Sequence, residues 1–347
     1  MTINIKNFLK DKSKLSKMGS RTIGIYLITT IVAVSVGLIV VNIFKPGNQI
    51  SSDTRIELVN AYSSDANEKK EIAVEQSLKG PLQPLIDLVP ENIFYATTEN
   101  KNMLQIIFFS ILFGMGLILI PEKDSFPVKK FIDSFNSVIL KLIDLIMKTA
   151  PLGVFALLAS LVVEAPSWNL FKALAFYSIT LVCGLIFLII LYVLFTYIYV
   201  KKKPNEFIKG ISPAQLLAFS TSSSAATLPV TIDCVEKRLG VKKEVSSFVL
   251  PIGATVNMDV TSLYQAVAAV FIAQAFGIDL TFSAQLGIIL TATLASIGTA
   301  AVPSAGIVML VIVLSQAGIP EAGLALIFAV DRPLDMCRTV VNVTGDA

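Results

Sequence analysis

The chain has 347 residues, of which 54% are hydrophobic and 15% charged, and its mean hydropathy is +0.74. This composition is typical of a polytopic helical membrane protein. The net charge of +3 is too small to indicate nucleic-acid binding, and the absence of histidine excludes a histidine-based metal site, catalytic triad or proton relay. The three cysteines lie far apart in the sequence and indicate neither a disulfide framework nor a metal site.

Six apolar stretches are long enough to cross a membrane, which takes roughly 20 residues. They lie at about 22–44, 103–120, 131–164, 171–200, 245–276 and 321–347. Two further apolar segments, about 210–232 and 284–317, are interrupted near their middles by small polar residues. These interruptions predict re-entrant hairpins, because unwound backbone survives at membrane depth only where it is buried or lines a site.

The distribution of basic residues orients the chain. Lysine and arginine crowd the lead-in 1–20 and the turns at 123–130, 201–203 and 237–243, which the positive-inside rule places in the cytoplasm. The polar segment 46–82 is then an extracellular loop. The lead-in 1–20 is basic and amphipathic and lacks the features of a secretory signal, and the last predicted helix stops at Ala347 before its crossing is complete. We therefore expect a chain truncated at both ends.

The terminal helix carries a stripe of polar and charged residues. Asp331, Asp335, Arg338, Asn342 and Asp346 follow one another by four, three, four and four residues, so they share one helix face. Charges at bilayer depth cost several kcal/mol each unless they have partners and face protein or water. A stripe of this kind indicates a protein that handles ions or charged solutes.

Two residues of the stripe predict the substrate. Arg338 can bind a carboxylate through two hydrogen bonds, and Asp335 is placed to pair with an ammonium group. Together they indicate an amino acid whose side chain ends in a carboxylate. The structural alternative is that Asp335 and Arg338 pair with each other, and Arg332, which lies off the stripe, is expected to neutralise Asp331.

A second polar cluster lies in the segment 251–265. Gly253 and the residues from Asn257 to Asp259 interrupt an apolar helix and free backbone carbonyls next to a carboxylate. Thr255 and Thr261 add hydroxyls. Sodium is a hard cation that prefers oxygen ligands, so the cluster predicts a sodium site; the alternative is a proline–glycine kink.

The hairpin tips allow two interpretations each. At the first tip, Ser223 and Ser224 either cap the second half-helix or offer hydroxyls to an anion at its amino end. At the second tip, the small residues at 296–306 form either a packed turn or a gate.

Four motifs resemble, in order and spacing, those of the dicarboxylate/amino acid:cation symporters, the family of archaeal aspartate transporters and animal excitatory amino acid transporters. They are S-S-S-A-A-T-L-P at 222–229, N-M-D-V-T-S-L-Y-Q at 257–265, S-I-G-T-A-A-V-P at 296–303 and D-M-C-R-T-V-V-N-V-T-G-D at 335–346. The resemblance implies an all-α polytopic membrane protein with the glutamate-transporter-like fold, two re-entrant helical hairpins and discontinuous helices. It also implies a homotrimer in which a transport domain slides past a scaffold. On this basis we expect a transport-domain helix at 21–45, an incomplete scaffold at 83–165 and the rest of the transport domain at 170–347.

The resemblance assigns the side-chain carboxylate of the substrate to Arg338 and the ammonium group to Asp335. The remaining predicted pocket residues, with Ser223 added from the tip, are Thr339, Asn342, Thr261, Ser224, Ser223, Val302 and Gly306.

The resemblance also implies three sodium sites. The first uses Asp346 with carbonyls of Gly253, Asn257 and Asn342. The second uses carbonyls of Thr255, Ser296, Ile297 and Thr299, and the third uses Tyr26, Thr29 and Thr30 with Asn257 and Asp259.

The chain departs from the family pattern at five positions. Ser222 and Met336 stand where archaeal and animal members, respectively, carry an arginine. Ala301 and Ser304 replace gate glycines, which predicts a stiffer gate. Gln265 replaces an acidic residue linked to proton and potassium coupling, so we do not expect that coupling here.

These features predict a sodium-coupled symporter for aspartate or glutamate that works by elevator-type alternating access. We expect no enzyme activity and a multi-pass position in a prokaryotic inner or plasma membrane, surrounded by lipid. Three alternatives are a proton-coupled or C4-dicarboxylate carrier, an ion channel, and an intramembrane hydrolase that uses the serine loop. The hydrolase is disfavoured because neither a histidine nor a nearby lysine could activate those serines.

Overall fold

A computed structural model of the chain describes residues 12–50, 89–90, 92–98, 103–148, 168–297, 299 and 304–347, together with positions 152, 155, 156 and 159. Its longer helices are α1 (Lys12–Phe44), α2 (Met103–Leu119), α3 (Glu122–Met147), α4 (Trp168–Phe195), α5 (Pro204–Thr221), α6 (Ser224–Lys237), α7 (Lys243–Val256), α8 (Asp259–Ala275), α9 (Phe282–Ile297), α10 (Ala305–Gln316) and α11 (Leu324–Asp346). These ranges contain no β-strand, so the prediction of an all-α protein is confirmed. Residues 1–11, residues 51–88 (within the predicted extracellular segment), most of 149–167 and Val302 lie outside the described residues.

Helix α8 forms the centre of the structure. All of its residues except Gln274 are buried, and the helix contacts α1, α4, α9, α10 and α11. A helix that is buried all round must be mostly apolar, and α8 is so except for a few polar residues, among them Asp259, Thr261 and Gln265. The fold therefore holds these polar side chains in the middle of the protein.

Helices α1 and α8 approach closely because a glycine lies between them. A Cβ atom on Gly37 would lie 2.9 Å from the carbonyl oxygen of Leu263 and 3.1 Å from its Cγ. Small residues allow backbones to approach in this way at helix interfaces within membranes. The contact fixes the position of α1 and hence of Tyr26, Thr29 and Thr30.

Both predicted hairpins occur. Helices α5 and α6 pack on each other across a tip at Ser222, where φ is 51°, and α9 and α10 pack on each other across residues 298–304. The first hairpin is longer than the predicted 210–232 at both ends. Helices α6 and α10 have 14 and 12 residues, fewer than the roughly 20 that a span requires. Their length fits re-entrant segments.

The predicted helix break at Asn257 is also found. Helix α7 ends there, with the amide of Asn257 donating to the carbonyl of Gly253 at 2.9 Å, and α8 begins at Asp259 after Met258, which has φ −100° and ψ 45°. The prediction of a discontinuous helix is therefore confirmed.

Among the described residues, three helical segments are long and apolar enough to cross a membrane: Met18–Gln49, Asn169–Val200 and Lys243–Ala275. The predicted span 321–347 forms α11, whose charged stripe lowers its hydropathy. The predicted span 131–164 is described continuously only to residue 148, as the amphipathic α3. Large apolar side chains such as Ile28, Ile43 and Ile190 are exposed on α1 and α4, which suits a lipid environment.

Substituting Gly37 with alanine should destabilise the protein by about 1–3 kcal/mol, because the added methyl group would overlap a backbone oxygen of α8 that cannot move away freely. The matched control is Gly24→Ala in the same helix, where a Cβ would meet nothing within 4 Å. Thermal unfolding in detergent compares them. Equal unfolding temperatures of the two variants would contradict the close approach of α1 and α8.

Candidate functional site

Helix α11 carries its whole polar stripe into the protein interior. Asp331, Asp335, Arg338, Asn342 and Asp346 are each no more than 9% exposed. Arg338 donates from Nη2 to Oδ1 of Asp331 at 2.9 Å and to Oδ1 of Asp335 at 2.8 Å. Both acidic residues thus lie on the same side of the helix as the arginine.

The Arg338 guanidinium is held from three sides. Besides its two carboxylate partners, its Cζ lies 3.7 Å from the centre of the Tyr264 ring, a favourable cation–π contact. Its Nη1 atom is buried and makes no hydrogen bond to a described residue. The guanidinium therefore keeps hydrogen-bond donors available while its charge is neutralised.

The structural alternative for Asp335 and Arg338 holds in this structure, since the two side chains pair directly. The expectation for Arg332 is wrong. Its Nη1 atom lies 3.8 Å from Oδ2 of Asp335, not beside Asp331, and its side chain is 40% exposed. Asp331 is instead neutralised from the other side, by Arg338.

Both hairpin tips, the helix break and α11 meet around a small cavity of about 20 Å³. That volume holds about one water molecule, so an amino acid can enter only if the walls move apart. The residues that line the cavity are Ser222, Ser224, Met258, Thr261, Thr299, Ala305, Gly306, Asp335, Arg338, Thr339 and Asn342. They include every residue predicted for the substrate pocket except Ser223 and Val302.

Ser223 serves as a helix cap. Its side chain accepts a hydrogen bond from the amide of Ala226 at 3.2 Å, so the capping interpretation applies to this serine. The neighbouring Ser222 has a buried hydroxyl with no hydrogen-bond partner among the described residues. Ser222 and Ser224 thus face the cavity while Ser223 caps α6.

The start of α10 lines the cavity, and the residue before it, Ser304, is bound to α11. The amide of Ser304 donates to Oδ2 of Asp335 at 3.0 Å. A Cβ on Gly306 would lie 3.2 Å from Cγ2 of Thr261 and 3.6 Å from Nη1 of Arg338. Access to Arg338 from this side therefore requires the tip to move.

The residues predicted for the first sodium site lie together. Asn257 donates from Nδ2 to Oδ1 of Asp346 at 2.9 Å, while its own Oδ1 is buried without a hydrogen-bond partner among the described residues. A Cβ on Gly253 would lie 2.8 Å both from Oδ1 of Asp346 and from the Tyr26 hydroxyl. A carboxylate oxygen, an unpartnered amide oxygen and space that only glycine leaves suit a small hard cation.

Asn342 connects this region to the cavity. Its Oδ1 accepts from the amide of Val260 at 3.1 Å, its Nδ2 lies 3.7 Å from the Met258 sulfur, and the side chain also lines the cavity. One residue of α11 therefore touches both the helix break and the predicted substrate pocket.

The residues predicted for the third sodium site also converge. The Thr30 hydroxyl donates to Oδ1 of Asp259 at 2.6 Å and lies 2.7 Å from the carbonyl of Tyr26. The Thr29 hydroxyl donates to the same carbonyl at 3.1 Å. Oxygens from α1 and the carboxylate of α8 thus share one buried region.

The set predicted for the second sodium site stays a prediction. Thr299 donates from its amide to the carbonyl of Ser296 at 3.1 Å, so these two residues are adjacent. Thr255 lies on α7, which contacts α9, but its side chain is exposed and donates to carbonyls of its own helix, those of Pro251 and Ile252.

Comparison with known proteins identifies the family. Residues 7–347 match the sodium:dicarboxylate symporter family. The chain belongs to this family. It is 36% identical to the human excitatory amino acid transporter 3 over 375 residues, which cover 97% of this chain and 71% of the relative. It is 38% identical to the proton/sodium-glutamate symport protein of Bacillus subtilis over 334 residues, which cover 96% and 76%.

The family membership confirms the resemblance found in the sequence and the glutamate-transporter-like fold class. The protein is an integral membrane transporter and not an enzyme. Animal and bacterial relatives match it about equally well, so the expected prokaryotic membrane remains a prediction.

Sequence reasoning missed several residues of the symporter's site. Asp331 was placed in the stripe, and its spacing of seven residues from Arg338 could have identified it as a partner of the arginine. Tyr264, which stacks on Arg338, and Tyr192, which donates to Oδ2 of Asp259 at 2.9 Å, lie on other helices. No spacing rule in a single sequence connects them to these charges.

Replacing Asp331 by asparagine should destabilise the symporter by about 1.5–3 kcal/mol, because it removes a charged hydrogen-bond partner from a buried guanidinium. The control is Asp233→Asn, which removes the partner of Lys237 in an exposed pair that water screens. Thermal unfolding in detergent compares both variants with the parent protein. If Asp331→Asn unfolds at the parent's temperature, Asp331 does not hold Arg338.

Proposed function

We propose that this symporter takes up aspartate or glutamate together with sodium, by an elevator-type alternating-access mechanism. The proposal rests on one observation: a buried guanidinium and a buried carboxylate lie 2.8 Å apart in a cavity walled by both hairpin tips. The names of the human and Bacillus relatives support an acidic amino acid as substrate.

Substrate recognition follows from exchange of partners at α11. In this structure Arg338 and Asp335 are partners of each other. When the substrate binds, its carboxylate takes the place of Asp335 beside Arg338, and its ammonium group takes the place of Arg338 beside Asp335. Buried charges that lose one partner are strongly destabilised, so a solute must supply both charges to enter. A neutral solute of the same size could not replace the pair.

Charge balance supports cation coupling. Near the cavity, the carboxylates of Asp331 and Asp335 are matched by the guanidiniums of Arg338 and Arg332. An acidic amino acid carries two negative charges and one positive, so its entry adds net negative charge to a buried site. Cations that enter with it remove that excess.

Two buried carboxylates are available for the cations. Asp259 and Asp346 accept hydrogen bonds from hydroxyl and amide donors, yet neither forms an ion pair with a described lysine or arginine. A buried carboxylate without a cation is costly, so each favours binding of a positive ion. Sodium fits the oxygen donors around both.

Coupling requires that cation and substrate stabilise the same arrangement, each then raising the affinity of the other by an equal factor. Asn342 supplies the link, because it touches the cavity and the helix break that bears the cation residues. Movement of the hairpin tips gives access, and sliding of the transport domain in a homotrimer carries the substrate across the membrane.

A proton-coupled or C4-dicarboxylate carrier is the second candidate. Protons could also neutralise Asp259 and Asp346, and the Bacillus relative is a proton/sodium symport protein. Succinate lacks the ammonium group that Asp335 would bind, so succinate should compete poorly with aspartate. Strong competition by succinate would favour the dicarboxylate carrier.

In proteoliposomes loaded with potassium, an inward sodium gradient should drive aspartate uptake. Replacing external sodium by choline should reduce uptake to the level of protein-free liposomes. Uptake should fall because, without sodium, no cation neutralises Asp259 and Asp346 when the acidic substrate enters. Radiolabelled aspartate measures the uptake. Undiminished uptake in choline or potassium would defeat the sodium assignment.

Substituting Arg338 with alanine should lower acidic amino acid uptake by more than about thirtyfold, because the substrate carboxylate loses its buried charged partner. Arg338→Lys keeps the positive charge for folding but loses the two-bond geometry, so it should also impair uptake. The matched control is Arg238→Ala, at an exposed position. Normal uptake by folded Arg338→Ala protein would remove Arg338 from the site.

A further inference from the structure

Asp259 is held by a residue outside all three predicted sodium sites. Its Oδ2 accepts from the Tyr192 hydroxyl at 2.9 Å, and its Oδ1 accepts from Thr30 at 2.6 Å. Side chains of α4 and α1 therefore fix the two oxygens of this buried carboxylate from two directions.

The Tyr192 ring is also fixed against α11. A Cβ on Gly345 would lie 3.0 Å from Cε2 and Cζ of the ring and 3.2 Å from its hydroxyl oxygen. Because Gly345 directly precedes Asp346, the ring touches the helix turn that carries the other carboxylate without an ion pair among the described residues. One tyrosine thus contacts the surroundings of both predicted cation sites.

We propose that Tyr192 is a positioning residue for the cation site at Asp259 and that its ring connects this site to the Asp346 end of α11; the proposal rests on sodium symport as the function. The hydrogen bond to Oδ2 fixes the plane of the carboxylate. Oδ1 then points toward the hydroxyl of Thr30 and the carbonyl of Tyr26, the oxygens that a hard cation would share. Hydrogen-bonded partners behind the ligands typically set the affinity of a metal site.

Helix α4 provides its own control. Tyr177 lies in the same helix and stacks on Phe271 with ring centres 4.7 Å apart, but its buried hydroxyl makes no hydrogen bond to a described residue. Tyr177→Phe and Tyr192→Phe therefore remove the same atom from the same helix. Only the second change removes a contact to a carboxylate.

The test uses purified full chain in detergent. Sodium is titrated in choline buffer while the unfolding temperature is followed, and aspartate binding is measured by calorimetry at saturating sodium. In Tyr192→Phe, the half-saturating sodium concentration should rise roughly tenfold, because the carboxylate of Asp259 is no longer held in the orientation that the cation needs. The unfolding temperature without sodium should also fall, because the hydrogen bond is present there as well. The aspartate affinity at saturating sodium should match the parent protein, and Tyr177→Phe should leave the sodium titration unchanged.

Gly345→Ala supplies a second measurement, because the new methyl group displaces the Tyr192 ring without removing the hydroxyl. It should raise the half-saturating sodium concentration in the parent and raise it less in the Tyr192→Phe background. Equal shifts in both backgrounds would overturn the connection through Tyr192.

The outcomes separate the two levels of the proposal. A parent protein that shows no response to sodium would defeat sodium symport itself. A sodium-responsive parent with the same titration in Tyr192→Phe would overturn the role of Tyr192 alone. A lower unfolding temperature without sodium, combined with an unchanged titration, would likewise reduce Tyr192 to a packing residue.

Discussion

A guanidinium without water must be surrounded by acceptors and negative charge, and Arg338 meets this requirement with two carboxylates and an aromatic ring. The requirement determines the surrounding structure. Asp331 and Asp335 lie on the arginine's side of α11, and Tyr264 reaches the guanidinium from α8. The second carboxylate oxygen of Asp335 accepts from the amide of Ser304 at the end of the second hairpin.

The acidic residues at the other end of α11 and at the start of α8 have partners of a different kind. Within the part of the chain that the structure describes, Asp346 and Asp259 accept hydrogen bonds from neutral donors, among them Asn257, Thr30 and Tyr192. One group of buried charges is thus neutralised by opposite charges of the protein, whereas the other group has only neutral partners among the described residues. Helix breaks are the natural place for this second group, since they offer free carbonyls and amides at membrane depth.

The sequence was most informative where polar or charged residues stand within segments that are otherwise apolar. Small polar residues within apolar runs predicted both hairpins and the break at Asn257, and helical spacing predicted the buried face of α11. The predicted ends of the elements were less accurate. Helix α5 begins at Pro204, before the apolar run, because a proline that follows the extended residue Lys203 can start a helix regardless of hydropathy.

Partners from distant helices could not be predicted from a single chain. Arg332 was expected beside Asp331 because the two are neighbours in sequence, but the structure gives Asp331 to Arg338 and leaves Arg332 near Asp335. Tyr192 gave no local signal, since its contact with Asp259 depends on how α4 packs against α8. Local spacing predicts which residues share a face, and only tertiary packing decides what that face meets.

The backbone of Ser304, with φ 61° and ψ 7°, has a consequence for how the end of the second hairpin is held. A residue with a side chain pays about 1–2 kcal/mol for this left-handed geometry, and the hydrogen bond from its amide to Asp335 offsets the penalty. The backbone conformation at this position therefore depends on a single carboxylate of α11, and a substitution that removes that acceptor leaves the strain uncompensated.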